Sequence, residues 1–423
     1  MSPPVSWKQS KSMTLLTGVS AITAVICILI FPSQAFQASL GGLHLWWTIV
    51  FPALLPFLVL SELLIAFGFV HALGTLLDPL LRLLFRIPGA GGWAVAMSLS
   101  SSLPAGAGIT AKLRKSGAVS REEGERLLGL SHLAGPVILL NVIAVGFMGN
   151  ASLGLYICFI YYITAALTGM LFRYSGGPGR DHQDRETAQP ARVSVWNAVY
   201  TAMHKGRQED GRSFGKALGD AVTNGIQTLM MIGGFMMIFS VLLAILKLSP
   251  AAEAAAQGLT LLLSPFGVPA VQIDALLQGL FELHVGAFAA GRPEAQSPSV
   301  MWSVAAVCSI LAWSGLSLHA QVRTLIRGTD LRYGAFFRFR AVHGALCLAI
   351  TPLLWRPLNV WFSGAVPSFL FLDRQPAHPE EQVSAAAGWL ALPYAAYVLA
   401  FVMLFLLGAA ACLSAARYLA NRM

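Results

Sequence analysis

Ser98-Leu99-Ser100-Ser101-Ser102-Leu103-Pro104-Ala105-Gly106-Ala107-Gly108 lies inside an apolar stretch that runs from 88 to 111. A helix cannot pass smoothly through Leu103-Pro104-Ala105-Gly106, because proline lacks the amide donor and glycine is a poor helix former. A second apolar stretch, 267–291, is interrupted in the same way at Gln278-Gly279-Leu280-Phe281-Glu282-Leu283-His284-Val285-Gly286. Broken backbone at membrane depth is tolerated only where it is buried in protein or lines a cavity. Both stretches are therefore expected to be re-entrant helical hairpins.

The rest of the chain puts these breaks in a membrane. Of 423 residues, 56% are hydrophobic and 11% charged, where a soluble domain carries about 25% charge. Mean hydropathy is +0.67, and apolar runs recur from Leu15 to Leu413. This excludes a soluble enzyme, a disordered chain and a fibrous protein. The unbroken runs also exclude an outer-membrane barrel, whose strands alternate. A span needs about 20 apolar residues. Eight are read: 14–32, 45–70, 127–148, 152–172, 218–246, 299–322, 341–361 and 388–413. The run after Lys8 and Lys11 lacks a convincing cleavage site and reads as a retained first helix. The expected class is an all-α polytopic membrane protein with eight transmembrane helices and two re-entrant hairpins.

Charge supports this layout. Net charge is 28 − 19 = +9, and the positives sit in short loops, which points to membrane orientation rather than to nucleic acid. With the N-terminus cytoplasmic, basic clusters fall on one side only if 88–111 and 267–291 are hairpins. These clusters are Lys112–Arg126, Arg173–Lys216, and Arg323, Arg327, Arg332, Arg338 and Arg340. Both termini are then cytoplasmic. The units are 1–44, a helix and connector; 45–172, a first repeat; 173–217, a basic loop read as a solvated connector; 218–361, a second repeat; and 362–423, a connector and last helix. Each repeat is a span, an amphipathic stretch (Leu76–Phe85 or Ala251–Leu263), a hairpin and two spans. Three spans separate equivalent helices, so the repeats are inverted. Inverted repeats with broken helices mark secondary transporters that bind solute near the midplane.

The candidate site follows from the breaks. Half-helix N-termini present free amides to an anionic ligand. At the first tip, beside the candidates Pro104 and Ala105, Gly106 and Gly108 allow close backbone approach, and Ser98, Ser100, Ser101 and Ser102 add hydroxyls. Tight helix packing explains the same small residues. At the second tip, beside Gly279, Glu282 and His284 are candidates for substrate binding and for proton or cation coupling, since an acid in the bilayer is costly and histidine titrates near neutrality. A locally paired structural carboxylate is the competing reading. Two spans are polar in their middles: Ser131, His132, Gly135, Pro136 and Asn141 in one, Trp313, Ser314, Ser317, His319 and Gln321 in the other. They are candidate lining. Glu62 is a further intramembrane acid. Cys27, Cys158, Cys308, Cys347 and Cys412 have no paired spacing, so neither a disulfide framework nor a metal site is expected. No Walker A, His-Glu-x-x-His or Gly-x-Ser-x-Gly pattern occurs; neither enzymatic activity nor a cofactor is expected.

Several of these segments resemble the sporulation integral membrane proteins of the YlbJ (SpoVV) family, built from paired nucleoside-recognition (Gate) domains. The resemblance covers roughly 45–345. It rests on Phe51-Pro52-Ala53-Leu54-Leu55-Pro56-Phe57, Phe85-Arg86-Ile87-Pro88-Gly89, Leu103-Pro104-Ala105-Gly106-Ala107, Gly279-Leu280-Phe281-Glu282-Leu283 and Gly315-Leu316-Ser317-Leu318-His319-Ala320-Gln321. It implies a fold similar to concentrative nucleoside transporters, with hairpins that hold the substrate and, by analogy, a homo-oligomer. It also implies movement of dipicolinate across the outer forespore membrane during sporulation. The chain departs from the family pattern at Ala105, Gly108 and His284, where serine, lysine and threonine are common. Lys112 is the candidate replacement cation for the position of Gly108. Half-helix N-termini and serines suit dipicolinate's two carboxylates, and Trp313 suits its ring. A nucleoside carrier and a non-transporting spore-envelope scaffold are the alternatives. Transport predicts that Glu282, Gly106 and Ser317 substitutions stop flux and leave the protein folded.

Overall fold

The computed structural model describes residues 11–101, 103–173, 195–297 and 299–362. Residues 1–10, Ser102, 174–194, Pro298 and 363–423, which include the expected span 388–413, lie outside them. The described residues are helical throughout, with no strand.

Among the described residues, five helices are long and apolar enough to cross a membrane; the sequence reading expected eight spans, the last of which lies outside the described residues. After α1 (Lys11–Ile30), the second helix α2 runs as one piece over Pro32–Ala66. Its start lies ahead of the expected boundary at 45, because Phe31-Pro32 is the only sharp break and proline is tolerated in a first turn. Next come α3 (Phe69–Leu80) and the short α4 (Gly91–Ser100), α5 (Ala105–Lys115) and α6 (Arg121–Leu130). The chain continues as α7 (Ile138–Phe147), whose turns are wide, and α8 (Leu153–Phe172). The expected span 127–148 is thus two pieces separated by an irregular 131–135.

Residues 173–217 were expected to be a solvated connector, but they contain α9 (Val195–Asp210). It packs against α3, where Gly206 meets the His71 ring and Gly68 meets the Met203 carbonyl. The long helix α10 (Phe214–Lys247) lies along α2, with Gly233 on Trp46 and the Trp46 Nε1 donating to Leu229 O at 2.9 Å. Then follow α11 (Pro250–Leu263), α12 (Ala270–Phe281), α13 (Leu283–Gly291), α14 (Val300–Trp313), α15 (Gly315–Leu325) and α16 (Tyr333–Phe362). Large apolar side chains stay exposed along α1, α2, α10 and α11, among them Ile22, Phe36, Leu60, Met230 and Leu261. Such faces suit lipid.

The two interrupted stretches double back. A Cβ on Gly106 would sit 2.9 Å from Ala94 O, although twelve residues of continuous helix would separate them by about 18 Å. A Cβ on Gly286 would sit 2.3 Å from Gly279 Cα, against about 10 Å along one helix. So α4 folds onto α5, and α12 onto α13. Each pair then packs on the broken helix that follows it.

The first pair shows why glycine is required. A Cβ on Gly106 would lie 1.9 Å from Ser131 O, whereas one on Gly108 would meet only Leu325 at 3.9 Å. The expectation that Gly106 variants stay folded is therefore not supported. Gly106→Ala is expected to lower stability by about 1–3 kcal/mol through overpacking. Gly108→Ala is expected to be neutral or to add up to about 1 kcal/mol of helix propensity. Thermal unfolding of the purified protein in detergent checks both.

Candidate functional site

Two breaks in the polypeptide build the site. The first, 131–135, follows from Gly135-Pro136, because proline removes one helical donor and crowds the preceding turn. The second falls at Ser314, which adopts a left-handed φ of 77°, and Gly315, at 70°. Gly315 is needed there because a Cβ would press on Leu283 N at 2.9 Å and Phe281 O at 3.0 Å.

Freed backbone groups at both breaks find partners. At the first, Ser98 Oγ donates to Leu133 O and accepts from Leu133 N, at 2.7 and 2.8 Å. Ala134 N donates to Tyr161 Oη, and Tyr162 Oη donates to Ala134 O. Ser131 Oγ meets Thr110 Oγ1 at 2.7 Å. At the second, His319 Nε2 donates to Trp313 O at 2.9 Å, and Trp313 Nε1 donates to Leu280 O at 3.0 Å.

Arg340 joins the breaks. It is fully buried. Its Nε donates to Ala312 O at 2.6 Å, its Nη1 to Gly129 O and His132 O, and its Nη2 to His343 Nδ1 at 2.7 Å. His343 Nε2 passes the chain on to Tyr161 O. The three carbonyls lie at or just beyond the C-terminal ends of α6 and α14, the negative poles of those half-helices. They offset a guanidinium that has no acidic partner among the described residues. Sequence reasoning grouped Arg340 with the loop arginines; its position two turns into α16 is the signal that could have separated it.

A cavity of about 40 Å³ lies where the tips and breaks meet. It has room for a few waters at most, so the site is closed. Of the expected residues, Glu282, His284, Ser317 and Gln321 line it, together with Leu103 of the first tip. Leu54, Ala134 and Ile138, and Met231, Ile232 and Phe235 of α10, complete the wall. Sequence reading missed these, although Met231 and Phe235 stand one turn apart. Glu282 is 2% exposed. Its Oε2 accepts from Val285 N at 2.7 Å, capping α13, and its Oε1 accepts from His284 Nδ1 at 2.9 Å.

Other candidates lie elsewhere. Ser100 and Ser101 do not reach the cavity, because the tip turns Leu103 toward it. Pro104 and Ala105 are half-buried beside it, and Gly106 and Gly279 serve packing, Gly279 against Ile310. Asn141 faces outward and is exposed, so it is no lining residue. Trp313 is stacked on His319 with ring centroids 4.3 Å apart, which occupies the face expected to receive a ligand. Ser131, His132 and Ser314 are buried in the breaks themselves. Lys112 is exposed and outside the cavity. Glu62 accepts from Asn224 at 3.2 Å as a packing contact between α2 and α10. No cluster of potential metal ligands occurs among the described residues.

Arg340→Met would leave three buried carbonyls and His343 without a donor. At about 1–3 kcal/mol per orphaned group, a loss of at least about 4 kcal/mol is expected, read as a fall in thermal stability. His343→Gln should cost less, since it leaves the carbonyl contacts intact.

Residues 47–170 match the Gate family, described as nucleoside recognition. The chain is also 39% identical over 353 residues to the sporulation integral membrane protein YlbJ of Bacillus subtilis (strain 168), covering 82% of this chain and 84% of that protein. No solved structure matches. Identity at this level over most of both chains, on a helical framework with lipid-suited faces, shows that this integral membrane protein belongs to the YlbJ family.

Proposed function

We propose that the protein is a secondary transporter of a small polar organic solute, held where the two helix pairs meet the two breaks. One observation carries this reading: Glu282, His284, Ser317 and Gln321 converge on an otherwise apolar cavity between both breaks. A few polar groups placed on an apolar wall are the usual make-up of a small-molecule site. The helix pairs act as re-entrant hairpins of inverted repeats, entering from opposite sides. The cavity is too small for a solute, so binding requires a tip to withdraw. The seat of Glu282 at the α13 N-terminus places a titratable pair on the moving part, which suits proton coupling.

Dipicolinate, moved across the outer forespore membrane during sporulation, is the leading substrate, since the relative is a sporulation protein by name. The one-sided basic clusters support reading both termini as cytoplasmic. One feature favours a nucleoside instead: the lining holds a carboxylate and no lysine or arginine. A dianion would need the half-helix N-termini and a protonated His284 to offset Glu282, whereas a neutral nucleoside would not.

Uptake by the purified protein in liposomes tests the reading, with labelled dipicolinate and uridine offered in parallel, with and without a pH gradient. Glu282→Gln keeps an oxygen to cap α13, so it should fold. It is expected to cut saturable uptake at least tenfold, the loss of about 1.4 kcal/mol or more, and to abolish the response to the gradient. Uptake of uridine alone would replace the substrate. Uptake of neither by correctly folded protein would overturn transport in favour of a scaffold.

A further inference from the structure

A second and larger cavity, about 330 Å³, lies away from the tips. Glu122, Glu125 and Arg126 of α6, Phe172 at the end of α8, and Arg332, Ala335, Arg338 and Phe339 at the start of α16 line it. All three helix ends adjoin the basic clusters that charge asymmetry places on the inner side of the membrane. Nothing in the proposed transport path reaches this cavity.

Its charges do not cancel. Arg332 forms two 2.7 Å bonds with Glu125, and Arg121 adds a third contact to the same carboxylate at 3.2 Å. That carboxylate is compensated twice, and its pKa stays below the usual range: burial pushes it up, but hydrogen bonds from Arg332 and Arg121 outweigh this. Arg126 is buried and donates to Arg86 O at 3.0 Å; burial pushes its pKa below the usual range, while the nearby carboxylates of Glu123 and Glu122 push it back up. Arg338 is exposed and has no acidic partner among the described residues, only the Gly334 carbonyl at 3.3 Å. Among the residues that line the cavity, Arg126, Arg332 and Arg338 outnumber Glu122 and Glu125 by one. Beside it, the rings of Phe172 and Phe339 pack 5.7 Å apart and give the cavity an apolar wall.

We propose that this cavity binds the phosphate of an anionic phospholipid head group. Arginine suits a phosphate because its planar fork offers several donors at once. The aromatic wall suits the glycerol and upper acyl region of a lipid rather than a free ion, and basic pockets between helix ends on the inner side of a membrane are suited to such head groups. Arg338 is the side chain left to close over the phosphate.

Native mass spectrometry of the full chain in detergent tests this. The probes are phosphatidylglycerol and phosphatidylcholine of equal chain length, with inorganic phosphate as a separate competitor. Arg338→Gln is the variant, and Lys112→Gln is the control that removes the same charge from an exposed site outside the cavity. The expected result is preferential retention of phosphatidylglycerol, reduced about fivefold by Arg338→Gln, the worth of one arginine at a membrane surface, and unchanged by Lys112→Gln. Equal retention of the two lipids would overturn the site. Equal losses in both variants would reduce it to surface charge. Displacement of the lipid by millimolar phosphate would assign the cavity to a free phosphate instead.

Discussion

The structure depends on satisfying backbone that is broken where water is scarce. Two helices stop in mid-course, at 131–135 and at Ser314-Gly315, and each orphaned carbonyl or amide would cost about 1–3 kcal/mol. Arg340 answers for both breaks at once. One buried guanidinium takes carbonyls from the ends of α6 and α14 and is itself stabilised by those negative helix poles. Ser98, with two bonds to Leu133, and Tyr161, Tyr162 and His319, with one each, complete the accounting. The close packing of the helix pairs on the breaks follows, since a Cβ at Gly106 or Gly315 would push the tips away.

The same economy shapes the cavity. Glu282 caps α13, holds His284 and faces the space between the breaks. In the proposed transporter, a structural and a functional role thus fall on one side chain. Any movement of the second tip changes the surroundings of an acid and an imidazole together. If the cavity holds solute as proposed, this gives a physical route from solute binding to proton binding, with no additional site.

Much of this arrangement was legible in the sequence because proline, glycine and lone intramembrane acids leave plain marks. Pro104 with Gly106 located the first reversal, and Glu282 the second. Pro136 after Gly135 marked a loosened helix at the polar middle Ser131–Pro136, whereas Trp313–Gln321 was visible as composition but not as a break. Ser314 enters the left-handed region without a proline to announce it, and a broken helix of apolar pieces has the same hydropathy as a whole one. Direction was also hidden. Ser100, Ser101 and Asn141 carry the right groups, but only packing decides that Leu103 points inward and Asn141 outward. Arg340 was masked by its neighbours, as Arg332 and Arg338 nearby are surface charges. The helix α9 was obscured by charge, its Lys205, Arg207 and Glu209 reading as solvent-exposed connector.

The most direct test asks whether solute occupies the cavity beside Glu282. Ser317 lines it, is 2% exposed, and is close to cysteine in size. A Ser317→Cys variant in liposomes would be treated with a small permeant maleimide, with the modified cysteine identified by mass spectrometry. The account predicts slow modification at position 317, slowed further by dipicolinate or uridine, whichever the protein transports. Modification at a rate indifferent to a solute that is being transported would place the site elsewhere and contradict the account.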